Sequence, residues 1–293
     1  MTRGDLHIHT TASDGVLSPA EVAQHIARER FRFFAITDHN TLAGLGEGAR
    51  AAADLGLVMI VGVELSAQPA DADEIHILGY GFDPGAPGIG EVCREITRRK
   101  NEQMWSIVDR LRRAGVGIDT DELPDDAESG YVGRPVLADM LVEGGVVSSP
   151  RQAFARFLGS GGDAYVPMRD FSPVWCIDAV HAAGGLAVLA HPTISTVDAW
   201  IQPLSDAGLD GIEACRPALT GNQQLYIEKA AEHFGLFITG GSDSHGRQTQ
   251  TPIGSFSITA GQAGHFFAAL GLRLQDDRQV SRSGPVDGVR GPG

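Results

Sequence analysis

The sequence predicts an α/β protein, either a parallel barrel or a doubly wound sheet. Short apolar runs alternate with helix-like segments along most of the chain, the pattern of strands wrapped by crossover helices. At 293 residues the chain fits one larger α/β barrel or two average domains. With 42% hydrophobic and 20% charged residues there is enough apolar material for a sizeable core. The 38 glycines follow no G-x-y period and are read as tight turns.

The first strand is expected at Asp5-Leu-His-Ile-His9, where period-two alternation places Leu6 and Ile8 on one face and His7 and His9 on the other. Ser18-Pro-Ala-Glu21 is a capping box with proline in the first turn, opening a helix to about Arg30. Phe34 to Thr37 reads as the next strand, followed by a helix from about Thr41 to Leu55 that Gly56 stops. Strands follow at Val58 to Glu64 and Ile75 to Phe82, and later at Leu186 to Ala190, Gly211 to Cys215 and Leu236 to Thr239. The alternation is interrupted between about Glu91 and Val166. There Ile89, Val92, Ile96, Met104, Ile107, Val108 and Leu111 recur at three- and four-residue steps, predicting a long amphipathic helix. A polar loop at Asp119 to Gly130 and short helices at Pro135 to Glu143 and Pro150 to Leu158 follow, with the next strand signal at Tyr165-Val-Pro. Residues 1–90 and 166–275 are thus expected to form the barrel, 91–165 a small helical insert capping the substrate, and 276–293 a flexible tail.

The chain is acidic, with 37 Asp and Glu against 23 Lys and Arg, a formal charge of −14. Such a surface repels nucleic-acid phosphates, so duplex DNA is not an expected partner. Cys93, Cys176 and Cys215 are widely spaced and odd in number, which fits neither a disulfide framework nor a thiolate zinc site. No apolar run is long enough to span a membrane and no signal-peptide pattern precedes the first strand, so a cytoplasmic protein without a membrane partner is expected.

Ten histidines carry the functional signal. His25, His181, His233 and His265 fall in expected helices and read as packing or surface residues. His7, His9, His39, His191 and His245 lie at or just past strand ends, while His76 lies early in its strand. Carboxylates share the location: Asp14, Asp38, Glu64 closing the third strand, and Asp243 two residues before His245. In α/β barrels the carboxyl ends of the strands converge on one mouth, so donors scattered in sequence can meet in space. The His7-x-His9 spacing turns both imidazoles to one side, where they can reach one cation, and Asp243-x-His245 repeats it with mixed donors. Taken singly, Asp14 could be a cap and Asp243 a turn residue; jointly, the donors point to a metal centre. Glu213 faces the same mouth, either supporting a ligand or closing a buried hydrogen-bond network.

Asp5-Leu-His-Ile-His-Thr with Ser13-Asp14-Gly, Ile36-Thr-Asp-His39-Asn, Gly62-Val-Glu64, Ala190-His191-Pro and Gly241-Ser-Asp243-Ser-His245 resemble, in order, the motifs of the PHP (polymerase and histidinol phosphatase) metal-dependent phosphoesterases. The resemblance covers about residues 5–246. It implies a distorted, TIM-like (β/α)7 barrel holding up to three divalent ions, and it is nearest to bacterial enzymes that dephosphorylate nucleoside 3′,5′-bisphosphates, some of which trim short RNA from the 5′ end. Carried over position by position, His7, His9, Glu64 and Asp243 would hold the first ion. Glu64 would bridge to a second held with His76 and His191, and Asp14, His39 and His245 would hold the third. Glu64, His191, Asp243 and His245 would then be the catalytic group around a hydroxide held near Glu64, with Asp38 orienting a neighbouring imidazole. A ligand set of imidazole and carboxylate suits Mn²⁺, Fe²⁺ or Zn²⁺.

For the substrate, seven basic residues (Arg94, Arg98, Arg99, Lys100, Arg110, Arg112, Arg113) stand against three acids in one stretch. Most read as a solvated helix face, with Lys100 the candidate to lean over the mouth. Arg134 in Gly133-Arg134-Pro135 opens an insert helix, where a guanidinium fork and free backbone N–H groups suit a phosphate. Relatives place an arginine there and usually histidine two residues later, where this chain has Val136. Arg169 is a further candidate. The expected activity is hydrolysis of a phosphate monoester of a small nucleotide. The alternatives are a phosphodiesterase acting on a cyclic sugar phosphate or a short RNA 5′ end, amidohydrolase chemistry, and a non-catalytic metal-binding module.

Overall fold

The computed structural model describes residues 1–69, 73–121, 123, 133–168, 171–247, 251–274 and 280–282. Strands β1 (Arg3–Asp5), β2 (Phe33–Ile36), β3 (Val58–Ala67), β4 (Ile75–Tyr80), β5 (Leu186–Leu189), β6 (Gly211–Cys215), β7 (Phe237–Gly240) and β8 (Ile258–Thr259) form one sheet in the order β7-β6-β5-β4-β3-β2-β1-β8. The sheet nearly closes on itself. Beyond the end of β1, Leu6 N donates to Gly240 O at 3.3 Å, Asp243 N to His7 O at 3.0 Å and His9 N to Ser244 O at 2.9 Å. Only glycine fits the seam at residue 241, because a Cβ there would stand 2.3 Å from the Cβ of His7.

The sheet is not uniformly parallel. β4 runs antiparallel to both β3 and β5, and β8 antiparallel to β1. The β3–β4 hairpin also carries β3 through Ala67, so Glu64 lies within that strand rather than closing it. Leu6 and Ile8, expected on one face, join different apolar clusters, because regular strand geometry stops at Asp5. His7 and His9 nevertheless keep to one side and face the mouth together.

Helices α1 (Pro19–Arg28) and α2 (Leu45–Asp54) flank the first strands, and α6 (Pro173–Ala182), α7 (Ile194–Asp206) and α8 (Gly221–Phe234) the later ones. In α1 the side chain of Ser18 accepts from Glu21 N while Glu21 accepts from Ser18 N, the reciprocal cap read in the sequence, and Val22, Ala23 and Ile26 form its buried face. α2 starts four residues later than expected, and Gly56 follows it with a φ of +65°. Along β2, Phe34 and Ile36 join the outer cluster under these helices, whereas Phe33 and Ala35 point inward to Leu6, Ile60, Tyr80 and Val188. Phe266 and Phe267 from α9 (Gly264–Ala269) complete the inner cluster.

Between β4 and α6 lie α3 (Pro87–Arg113), α4 (Arg134–Glu143) and α5 (Pro150–Ala153), the last running into a π-helical turn at Phe154–Leu158. The buried residues of α3 divide. Ile89, Cys93 and Ile96 pack on the barrel, while Met104, Ile107, Val108 and Leu111 form a separate apolar cluster with Leu137, Leu141 and Phe157. No strand forms at Tyr165 to Met168. Near the C-terminus β9 (Leu272–Leu274) pairs antiparallel with β10 (Val280–Arg282), inside the segment expected to be a flexible tail; its other residues, and most of the 119–130 loop, lie outside the described residues. Among the described residues no helix is long and apolar enough to cross a membrane.

Candidate metal centre

The ends of the strands bring the expected donors into one buried cluster. His7 and His9 follow β1 with their Nε2 atoms 3.2 Å apart. Glu64 Oε2 lies 3.3 Å from His7 Nε2 and 3.2 Å from His9 Nε2, and Asp243 Oδ1 lies 3.1 Å from His9 Nε2. The other Glu64 oxygen, Oε1, is 2.8 Å from both His76 Nδ1 and His191 Nε2. Asp14 Oδ1 is 3.4 Å from His245 Nε2 and 3.9 Å from His9 Nδ1, and the rings of His9 and His245 stack with centroids 4.2 Å apart.

Three sets of donors are compact enough to hold an ion: His7, His9, Glu64 and Asp243; His9, Asp14, His39 and His245; and His39, Glu64 and His76. His9 and His39 therefore each serve two sets, which the position-by-position expectation did not anticipate. The antiparallel direction of β4 accounts for His76. The beginning of that strand, not its end, lies at the mouth.

The supporting groups differ in part from expectation. Asp38 orients no imidazole. Its Oδ1 accepts from Thr10 N at 2.6 Å and Ser13 Oγ at 2.7 Å and its Oδ2 from Thr10 Oγ1 at 2.7 Å, which pins the loop carrying Asp14. Glu213 supports two of the candidate donors. Its Oε1 lies 3.1 Å from His7 Nδ1 and its Oε2 accepts from His191 N at 2.8 Å, fixing one imidazole and the turn that bears another. Asp5 joins the two halves of the seam by accepting from His7 N and Ser242 N. Burial pushes its carboxyl up to about 6 against those hydrogen bonds.

Sequence reasoning missed Glu74. Its Oε1 lies 2.9 Å from His76 Nε2 and also meets Lys100 Nζ, and its Oε2 accepts from Arg134 Nη2 at 2.9 Å. The signal was present, since Glu74 stands two residues before His76 at the entry to β4. Lys100 and Arg134 thus reach the mouth together through one carboxylate. Arg169 lies outside the described residues. The four helix histidines stay outside the cluster, with His181 paired to Asp210. Trp105 and Trp200 pack on apolar clusters, whereas Trp175 is largely exposed.

The residues fit divalent ions. Glu64 Oε2 and His9 Nδ1 are buried with no hydrogen-bond partner among the described residues, an arrangement costly for protein groups alone. Burial opposes ionisation of Glu64, yet His39, His76 and His7 hold it well below the usual carboxylate range, so it is held as a carboxylate. The backbone is strained at the same place: His191 has a φ of +27°, Asn40 +53° and Asp243 +53°, left-handed conformations that side chains other than glycine adopt at a cost. A cavity of about 300 Å³ opens beside His191, Asp243 and His245.

Comparison with known proteins identifies the family. The PHP domain model matches residues 5–114. The chain is 35% identical over 246 residues to a 5′-3′ exoribonuclease of Haemophilus influenzae, covering 82% of this chain and 89% of the relative. It is 31% identical over 253 residues to a 3′,5′-nucleoside bisphosphate phosphatase of Chromobacterium violaceum, covering 84% and 88%. A solved structure from Bifidobacterium adolescentis, assigned as a metal-dependent phosphoesterase, superposes with a TM-score of 0.78 at 28% identity, covering 91% of this chain and 96% of that one. The fold is that of a metal-dependent phosphoesterase. The chain belongs to the PHP family.

Proposed function

We propose that the protein hydrolyses a phosphate monoester of a small nucleotide, such as a nucleoside 3′,5′-bisphosphate, using three divalent ions chosen from Mn²⁺, Fe²⁺ and Zn²⁺. The observation that carries this reading is Glu64, whose two oxygens face separate imidazole pairs, His7 with His9 and His76 with His191. Ions held there would lower the pKa of water and neutralise phosphoryl oxygens during in-line displacement. His7, His9, Glu64 and Asp243 would hold one ion, Glu64, His76 and His191 a second, and Asp14, His39 and His245 the third.

The chain's own groups prepare the reaction. Glu213 fixes His7, and Asp38 fixes the loop of Asp14. Glu64, Asp14 and Asp243 bring three negative charges, so three divalent ions leave the mouth positive, matched to a phosphate dianion in an otherwise acidic protein. Arg134 and Lys100 share the single carboxylate of Glu74, which leaves one surplus positive charge on the insert side of the mouth. There the Arg134 fork would meet phosphate oxygens. The similarity to an exoribonuclease supports a second reading, a phosphodiesterase acting on a short RNA 5′ end. The buried free thiols of Cys93, Cys176 and Cys215 accord with a reducing cytoplasm.

A phosphate-release assay with bisphosphates, cyclic phosphates and short 5′-phosphorylated RNA, each with Mn²⁺, Fe²⁺ and Zn²⁺, tests the reading. Release from bisphosphates at a kcat/KM above the other substrates is expected. No release from any phosphoester by metal-loaded protein overturns it.

A further inference from the structure

The cation count of the sequence drew attention to α3, yet a different arginine stands inside the mouth. Arg216 immediately follows β6, at the same end of the barrel as the metal donors, and Pro217 follows it. With His191, Asp243 and His245 it lines the cavity of about 300 Å³. Its Nη2 donates to Pro192 O at 2.7 Å, so the guanidinium is anchored to the turn that carries His191.

Arg216 is half-buried. It differs from the other cations near the mouth in its charge partners rather than in its Nε, since the Nε of Arg247 is also buried without a hydrogen-bond partner among the described residues. Other cations near the mouth have carboxylate partners: Lys100 and Arg134 meet Glu74, and Arg247 meets Asp139. Arg216 has none at ion-pair distance among the described residues, and its Nε is buried without a hydrogen-bond partner. Glu213 and Asp243 stabilise its charge only from further away. Taking a guanidinium partly out of water without an ion-pair partner is unfavourable. A bound anion in the cavity would offset that cost, and the planar fork suits phosphate oxygens. The neighbouring Pro217 and Ala218 add an apolar wall, as expected where the non-phosphate part of an ester leaves the site.

We propose that Arg216 is a phosphate-binding residue of the mouth, contacting a phosphoryl oxygen of the substrate from the β6 side. The assignment rests on the phosphoesterase reading for its substrate and on the cavity alone for its ligand chemistry. Arg134 and Arg216 would then grip from two places, since Arg134 belongs to the insert and Arg216 to the barrel.

The test compares Arg216→Ala, Arg216→Lys and wild-type protein, all metal-loaded. Titration calorimetry with inorganic phosphate is expected to show binding weakened about 10- to 100-fold in Arg216→Ala, and less in Arg216→Lys, which keeps the charge but not the fork. In turnover, KM is expected to rise by a similar factor. A rise on monophosphates and bisphosphates alike assigns Arg216 to the reacting phosphoryl group, and a rise on bisphosphates alone assigns it to the second phosphate. Metal content by elemental analysis should be unchanged. Phosphate affinity within twofold of wild type in Arg216→Ala overturns the proposal, as does affinity that falls only in step with lost metal, which would make Arg216 a support for His191. If wild-type protein turns over no phosphoester, the proposed function fails, while the calorimetric arm still decides the role of Arg216.

Discussion

The barrel mouth and the helical insert solve different problems with different materials. At the mouth, most donors sit on or near a strand, where the hydrogen-bonded ladder sets their position, while Asp14 sits on a loop that Asp38 pins. The backbone bonds between Asp38, Asn40 and Glu64, for example, place His39 against Glu64 before any side chain acts. The insert has its own apolar cluster, built on Ile107, Leu111, Leu137 and Leu141. Among the described residues it meets the mouth through side chains, at Glu74 with Lys100 and Arg134, at Asp139 with Arg247, and at Asn40, whose carbonyl accepts from Thr97 Oγ1 at 3.3 Å. The contrast teaches that the proposed chemistry is anchored in the sheet while part of the proposed grip on substrate hangs from helices. The two should therefore be separable by mutation.

The largest effect is expected at the bridge itself. Glu64→Gln keeps the shape but removes the charge that faces two imidazole pairs, so metal content should fall and turnover should drop by about 10³-fold or more. Elemental analysis and kcat on the same preparation measure both. Asp243→Ala should behave alike, and near-normal activity in either metal-replete variant would remove the assignment.

Next in size is a test on the insert side. Leu137 is fully buried in the insert cluster, and Leu137→Ala should destabilise that region by about 2–5 kcal/mol. Because Trp105 packs on this cluster and Trp200 on the barrel, single-tryptophan versions should unfold at different denaturant concentrations in the variant. The barrel should keep its metal. Loss of both signals in one step would show that insert and barrel form one cooperative unit and would break the comparison.

Arg134→Ala probes the contact between the regions. Removing one charge-assisted fork should raise KM about 10- to 100-fold with metal content unchanged. If KM rises no more than for a distant surface arginine, Arg134 has no phosphate role. Glu74→Gln should differ, lowering metal affinity about 10- to 100-fold through His76, with kcat restored by excess metal.

What could be read in advance follows the same division. The histidines at strand ends were legible because strand periodicity and the barrel's geometry leave few places for them to go. His76 stood out of pattern only because nothing local signals that β4 runs backwards. Asp38 was misread because its partners, Thr10 and Ser13, are ordinary loop residues whose approach is fixed by the fold. Glu74 and Arg216 were passed over because their meaning lies in what surrounds them. One carboxylate is crowded by cations and one arginine lacks an ion-pair partner, and composition shows neither. The basic run of α3 divides as its spacing suggested, with Lys100 at the mouth beside Glu74 and Arg98 on the solvated face.

That run supplies the smallest prediction. Arg98 and Arg99 both hydrogen-bond Glu95, and Arg98 also pairs with Glu102, on the side of α3 away from the mouth where Lys100 meets Glu74. The hydrogen bond from Arg98, with help from Arg99, holds the Glu95 carboxyl down to about 2 despite a small opposing effect of burial. A carboxyl depressed on folding stabilises the protein above its unfolded value of about 4.3, and that contribution fades as pH falls from there through about 2. Because Arg98 is 47% exposed, water screens the pair, and the contribution should be only a few tenths of a kcal/mol. Glu95→Gln should therefore be slightly less stable than wild type at pH 7, with the gap closing below about pH 4 in matched denaturant titrations. Its KM should not move. A clear change in KM would mean that this face of α3 reaches the substrate after all, and the separation between the solvated side of the helix and its single mouth-facing lysine would no longer hold.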